Sequence, residues 1–220
     1  MSMKQATSII IFLSIISFCC NSSESTIQNY LAASSRDTLI QEIPKYSNGD
    51  ESNIYKYIKQ MTGKLNIGRI DSGYSPLQIR IWYYYGLIDT NQLFLLKLND
   101  QKWEASWYTI AFNLGSLRTD TSISIVSNKA PISGWNSFLN RLFKLKIGEL
   151  PDMNILPGRN TFLMAEPKGV LVEFAAINNY RLFSYDEPSA FIDRWWQARN
   201  MKEILSLIEN EFHFKQIKEL

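Results

Sequence analysis

Apolar and polar positions are most densely patterned between residues 77 and 112, LQIRIWYYYGLIDTNQLFLLKLNDQKWEASWYTIAF. From Ile79 to Tyr85 a period of two puts Ile79, Ile81, Tyr83 and Tyr85 on one face and Arg80, Trp82 and Tyr84 on the other. Gly86, Asp89 and Asn91 interrupt the run, Leu93 to Leu98 resumes it, and Asn99-Asp100-Gln101 supplies a polar turn before Trp103 to Phe112. The pattern predicts three antiparallel strands in a meander. Neither face of the sheet is plainly polar, so helices or a second layer must cover both, at least in part.

The same reading extends outward. Ser52 can cap a helix in which Ile54, Tyr57, Ile58 and Met61 share a face and which Gly63 ends. Thr121 to Val126 is a fourth strand, closed off by Pro131. After Ser133, an apolar stripe of Trp135, Phe138, Leu139, Leu142 and Phe143 predicts an amphipathic helix, with Gly148 just past its end. Thr161 to Ala165 reads as a strand and Glu166-Pro167-Lys168-Gly169 as a turn. Val170 to Ile177 and Tyr180 to Tyr185 then form a hairpin across Asn178-Asn179, since asparagine tolerates positive φ. Phe191, Ile192, Trp195 and Trp196 recur at helical spacing, and Asn200 with Glu203 resembles a capping box. The second segment carries Met201, Leu205, Ile208 and Phe212, so either one helix kinks near Asn200 or two helices meet there. The expected class is α+β: a mainly antiparallel sheet, meander plus C-terminal hairpin, covered by amphipathic helices near 134–146 and 190–212.

A chain of 220 residues with 45% hydrophobic residues can bury one substantial core. The expected division is a signal peptide at 1–19, a polar tether at 20–51 rich in Ser, Asn, Thr and Gln with a short helix near Tyr30 to Ile40, and one α+β domain at 52–220. Charge changes little in this picture: 23 basic residues stand against 21 acidic ones, which argues against an electrostatic nucleic-acid binder. Arg141, Lys144 and Lys146 read as a solvated helix face.

Residues 6–18, ATSIIIFLSIISF, follow the lone charge of Lys4 and end at Cys19-Cys20 before a serine-rich stretch. The run is short for a membrane span and suits the core of a secretory signal. An apolar core ending on cysteine resembles a bacterial lipoprotein precursor, in which cleavage leaves a cysteine that carries lipid. Ile16-Ser17-Phe18-Cys19 places bulky Phe18 where a small residue is usual. Ser17-Phe18-Cys19-Cys20 has a small enough Cys19 but places Ser17 where an aliphatic is usual. Cys19 is the favoured lipid acceptor and Cys20 the alternative; a secreted protein with two incidental cysteines is the plainer reading. The two cysteines are the chain's whole complement, so the domain has no disulfide, thiolate metal site or cysteine nucleophile.

Other chemistry is sparse. The single histidine, His213, sits in a charged tail, where nothing in the sequence fixes its position for catalysis or metal binding. The pattern calls for no metal and no cofactor, and a glycine-rich phosphate loop is absent. Trp195-Trp196 suits helix–sheet contact better than a ligand platform. Glu166 and Glu173 flank one turn on adjacent predicted strands, the geometry of a glycosidase-type acid and base. Glu173 also shares a face with Leu171, Ala175 and Ile177, where a carboxylate needs a partner such as Arg181 or a tyrosine hydroxyl. An Asn178-Asn179 turn would set Glu173 opposite Ser184 and Arg181 opposite Ala176, so an Arg181 pair would need a bulge or another register.

The order Trp135, Leu139, Leu142, then Leu150-Pro151-Asp152, then Gly169 with Glu173 four residues later, then Tyr180-Arg181 and Pro188 is similar to a loose pattern in uncharacterised bacterial envelope proteins. It covers roughly residues 135–212, with Lys168 where those proteins usually have Asp, and it implies no known activity. The leading expectation is a lipid-anchored envelope protein, facing the periplasm or cell surface, that is a non-catalytic binding or structural module, with an envelope protein or glycan as partner. The alternative is an anchored hydrolase acting on glycan through Glu166 and Glu173.

Overall fold

The computed structural model describes residues 31, 37–45, 49–85, 89–112, 121–127, 129–159 and 168–214. Seven strands form one sheet: β1 (Ile40–Glu42), β2 (Leu77–Tyr85), β3 (Thr90–Asn99), β4 (Lys102–Phe112), β5 (Thr121–Ser127), β6 (Lys168–Ala176) and β7 (Asn179–Asp186). Their spatial order is β1-β7-β6-β2-β3-β4-β5, antiparallel throughout except for the parallel β1–β7 pair. Helix α1 (Asn53–Leu65) precedes the meander, α2 (Trp135–Lys144) follows β5, and α3 (Trp196–Phe212) ends the described chain apart from His213 and Phe214.

The period-two split of β2 is reproduced across the sheet. Ile79, Ile81, Tyr83 and Tyr85 join Phe94, Leu96, Val170, Val172, Phe174, Phe183 and Tyr185 beneath α2 and α3. Trp82 joins Leu93, Leu95, Leu171, Ala175 and Leu182 beneath Tyr55, Ile58 and Met61 of α1. Two apolar layers therefore sandwich the sheet, and the α+β expectation holds. The stripe of α2 meets the sheet as its spacing implies: Leu139 and Leu142 are 1% exposed, and Trp135 stacks on Trp103 of β4 at 6.5 Å between ring centroids.

Several boundaries differ from the pattern, each for a local reason. Helix α1 starts under the Ser52 cap but runs past Gly63, and Asn66 takes the left-handed exit at φ 52°. Asn200 does not break the last helix. It lies inside α3 and donates from its side chain to the Leu145 carbonyl at 3.1 Å, so tertiary contact absorbs a residue that locally resembles a cap. The stretch ahead of α3 holds a 3₁₀ turn at Pro188–Phe191, and the helix proper begins at Trp196. Residues 40–42, expected in the tether, instead form β1, because the β7 edge offers an open ladder. Leu31 is helical and packs against the core. The expected 161–165 strand lies outside the described residues.

The β6–β7 hairpin turns on Ile177-Asn178, with Asn178 at φ 53°, one residue earlier than Asn178-Asn179. Ala176 therefore faces Asn179, Glu173 faces Leu182, and Arg181 faces Phe174. Moving the turn by one residue slides the partner strand by two, which leaves every side chain on its face. Hydrophobic alternation cannot choose between these registers.

Gly169 is the point where the sheet is tightest. A Cβ there would lie 2.5 Å from the Tyr185 carbonyl oxygen and 2.5 Å from the Tyr84 hydroxyl, which itself donates to Asp186. Gly169→Ala should lower unfolding stability by about 1–3 kcal/mol, read by denaturant titration, as overpacking does where backbone must move.

Candidate functional site

Two places among the described residues gather groups with chemical potential, and they differ in access. The first lies under α1. Arg80 of β2 and Glu173 of β6 are direct cross-strand partners on an otherwise apolar face, 0% and 2% exposed. Trp82 Nε1 donates to Glu173 Oε2 at 2.7 Å, the Tyr180 hydroxyl donates to Oε1 at 3.0 Å, and Arg80 Nη1 lies 3.7 Å from Oε2. Arg80 Nη2 donates to the carbonyls of Ile67 and Gly68 at 2.9 and 2.7 Å, in the segment that follows α1. Above them the Tyr55 hydroxyl donates to Asp71 at 2.5 Å, and Arg69 pairs with the same carboxylate.

Burial pushes the Glu173 carboxyl above its ordinary range, while Arg80, Trp82 and Tyr180 pull the other way without cancelling it. Burial, with help from the Asp71 carboxylate, pushes the Tyr55 hydroxyl up to about 12. A raised carboxyl can mark a general acid, but a general acid also needs a substrate within reach. The space beside Glu173, lined by Tyr55, Thr62, Asp71 and Tyr180, is only about 10 Å³, at the lower limit for a single water. Glu166 lies outside the described residues. The tyrosine expected as a partner of Glu173 is Tyr180. Arg181 instead pairs with Glu42 at 2.5 Å and donates to the carbonyls of Gly148 and Leu150.

The second place is open. Phe94, Ala105, Trp107, Val126, Phe212 and Phe214 line a concavity of about 160 Å³ where the C-terminal end of α3 crosses β3, β4 and β5. Lys129 and His213 also line it, and Lys129 Nζ donates to the Phe212 carbonyl at 3.3 Å. His213, featureless in the sequence, is the left-handed C-cap of α3 at φ 50°. Trp107 Nε1 and the Tyr83 hydroxyl are buried here without a hydrogen-bond partner among the described residues, and Tyr83 packs on Trp107 at 5.3 Å between centroids. Sequence reading missed this concavity. Its lining comes from three strands and a helix end far apart in the chain, and each apolar lining residue looks like ordinary core.

Among the described residues no group of three or more His, Cys, Asp or Glu side chains could hold a metal, and no helix is long and apolar enough to cross a membrane. Cys19 and Cys20 lie outside the described residues. Trp195 is buried against Phe191, and Trp196 is 49% exposed beside Lys146.

The Arg80–Glu173 pair makes a direct test of a structural role. Glu173→Gln should destabilise the fold by about 3–5 kcal/mol by leaving the guanidinium buried without its counter-charge. The double variant Arg80→Met/Glu173→Leu should recover most of that loss, as seen in thermal and denaturant midpoints. No protein-family model matches the chain, and neither a curated protein nor a solved structure matches it.

Proposed function

We propose that the chain is a lipid-anchored bacterial cell-envelope protein whose α+β domain is a non-catalytic binding module for another envelope protein. The observation that carries the binding role is the aromatic concavity between α3 and the β3–β5 region. Its volume, about 160 Å³, is close to the roughly 150 Å³ that accommodates a benzene ring in a protein interior. It falls well short of the ~300–1,000 Å³ of pockets that enclose a small-molecule ligand. One aromatic or branched side chain fits, which is how a protein partner's anchor residue is held. The anchor rests on the Cys19-Cys20 junction at the end of the apolar leader.

The anchor and the binding face are tested separately. Growth with a fatty-acid analogue should label the wild-type protein, and Cys19→Ser/Cys20→Ser should abolish the label; unlabelled wild-type protein in the soluble fraction rejects the anchor. A photo-reactive residue at Val126, at the concavity, should give a discrete cross-linked band, of a mass other than twice the chain, in intact envelopes. The same residue at Ile155, which is 74% exposed and belongs to a 3₁₀ turn packed on β7 at the other end of the sheet, should not. Identical patterns from both positions, or no adduct from Val126 other than a dimer of the chain, reject the binding face.

A further inference from the structure

The two edges of the sheet are built differently. The β1 edge is three residues long and carries Glu42, held by Arg181. That is how natural sheets protect an edge: short, with charge. The β5 edge is seven residues long, TSISIVS, with no charge and no proline, and residues 122–127 are all exposed. Ile123 is 39%, Ile125 51% and Val126 46% exposed. Beyond the pairing with β4, alternate residues of β5 direct their N–H and C=O groups outward, and among the described residues no strand receives them.

We infer that β5 is a self-association edge, pairing antiparallel with β5 of a second copy of this chain across a twofold axis through Ser124. The geometry of the ladder fixes the register of this self-pairing. An antiparallel ladder can match only outward-pointing residues with each other and inward-pointing ones with each other, so a twofold must pass through a residue rather than between two. With Ser124 on the axis, all seven residues pair: Ser124 with itself, Ile123 with Ile125, Ser122 with Val126, Thr121 with Ser127. Centring on Ile123 or Ile125 leaves residues of the strand unpaired. The chosen register places two Ile–Ile cross-strand pairs together on the face shared with Tyr108 and Ile110, so the apolar layer under α1 continues into the second copy. Because the strand is uncharged, no like charges meet at the axis. A charged partner strand would find nothing here to recognise, whereas an isologous contact needs only self-complementarity. The inference does not depend on the concavity or on lipidation.

The test uses the purified full chain under mild copper oxidation. Ser124→Cys puts two thiols across the axis at about 4.5–5.5 Å between Cα atoms, within disulfide range. Ser127→Cys puts them roughly 20 Å apart in the same dimer, by strand rise. Wild type, with Cys19 and Cys20, measures background. Ser124→Cys should give a reducible dimer at least tenfold above both controls, and adding Ile125→Lys should reduce that yield about tenfold while thermal midpoints stay level. Equal cross-linking from positions 124 and 127, no dimer above wild type, or a yield indifferent to Ile125→Lys overturns the inference. A Ser124→Cys adduct of a mass other than twice the chain also overturns it, in favour of a different partner.

Discussion

The Arg80–Glu173 pair sits where the two halves of the sheet join, on the strands that link the N-terminal meander to the C-terminal hairpin. Two opposite charges in an apolar layer are tolerable only if their hydrogen-bonding capacity is largely used, since desolvation costs several kcal/mol per ion. Glu173 meets that demand with Trp82 and Tyr180, one from each neighbouring strand. Arg80 meets it with two backbone carbonyls from the segment leaving α1. The pair therefore sets register as well as charge balance. Sliding β2 by two residues against β6 would leave every face intact yet put Glu173 opposite Gln78 or Trp82. It also couples layers, because the guanidinium holds the exit of α1 down on the sheet.

The opposite face is organised mainly by packing, with polar fasteners at Asn200 and Glu211. Glu211 accepts from Arg141 of α2 at 2.7 Å and from the Ser133 backbone N–H at 2.8 Å, while its own carbonyl accepts from Ile132. The entry to α2 and the end of α3 are thus pinned together above β4. Phe212 fills the angle, within 5.1 Å of both Phe94 and Phe138 between ring centroids. Among the described residues the helix layer ends at Phe212 while the sheet continues through β4 and β5. The concavity forms at that step, and the bare β5 edge lies beyond it. Exposed function-bearing surface and rigid scaffold meet at one end of the sheet, and the sealed charge pair stays near its middle.

That division explains why the carboxylate with the strongest functional signature belongs to the scaffold. A buried acid with a raised pKa is a feature of catalytic sites, and equally of structural ion pairs. Geometry separates the two: Glu173 has three protein partners and room beside it for no more than a water.

Alternation and amphipathic spacing in the sequence by themselves determined the strands of the meander, the face each side chain occupies, the stripe of α2 and the need to cover both faces. These are local consequences of a period of two or 3.6, and burial enforces them whatever the wider topology. Sequence also showed that Glu173 needs a partner, because its neighbours on the face are apolar. Which partner was decided by tertiary structure. The hairpin register depended on a turn that alternation cannot sense, Arg80 arrived from a strand ninety residues away, and Arg181 was taken by Glu42 and two carbonyls. Tertiary packing likewise kept Asn200 inside α3 and drew residues 40–42 into the sheet. The concavity and the free β5 edge were decided there too, since each depends on where one layer stops relative to another, a relation between distant segments that no local pattern carries.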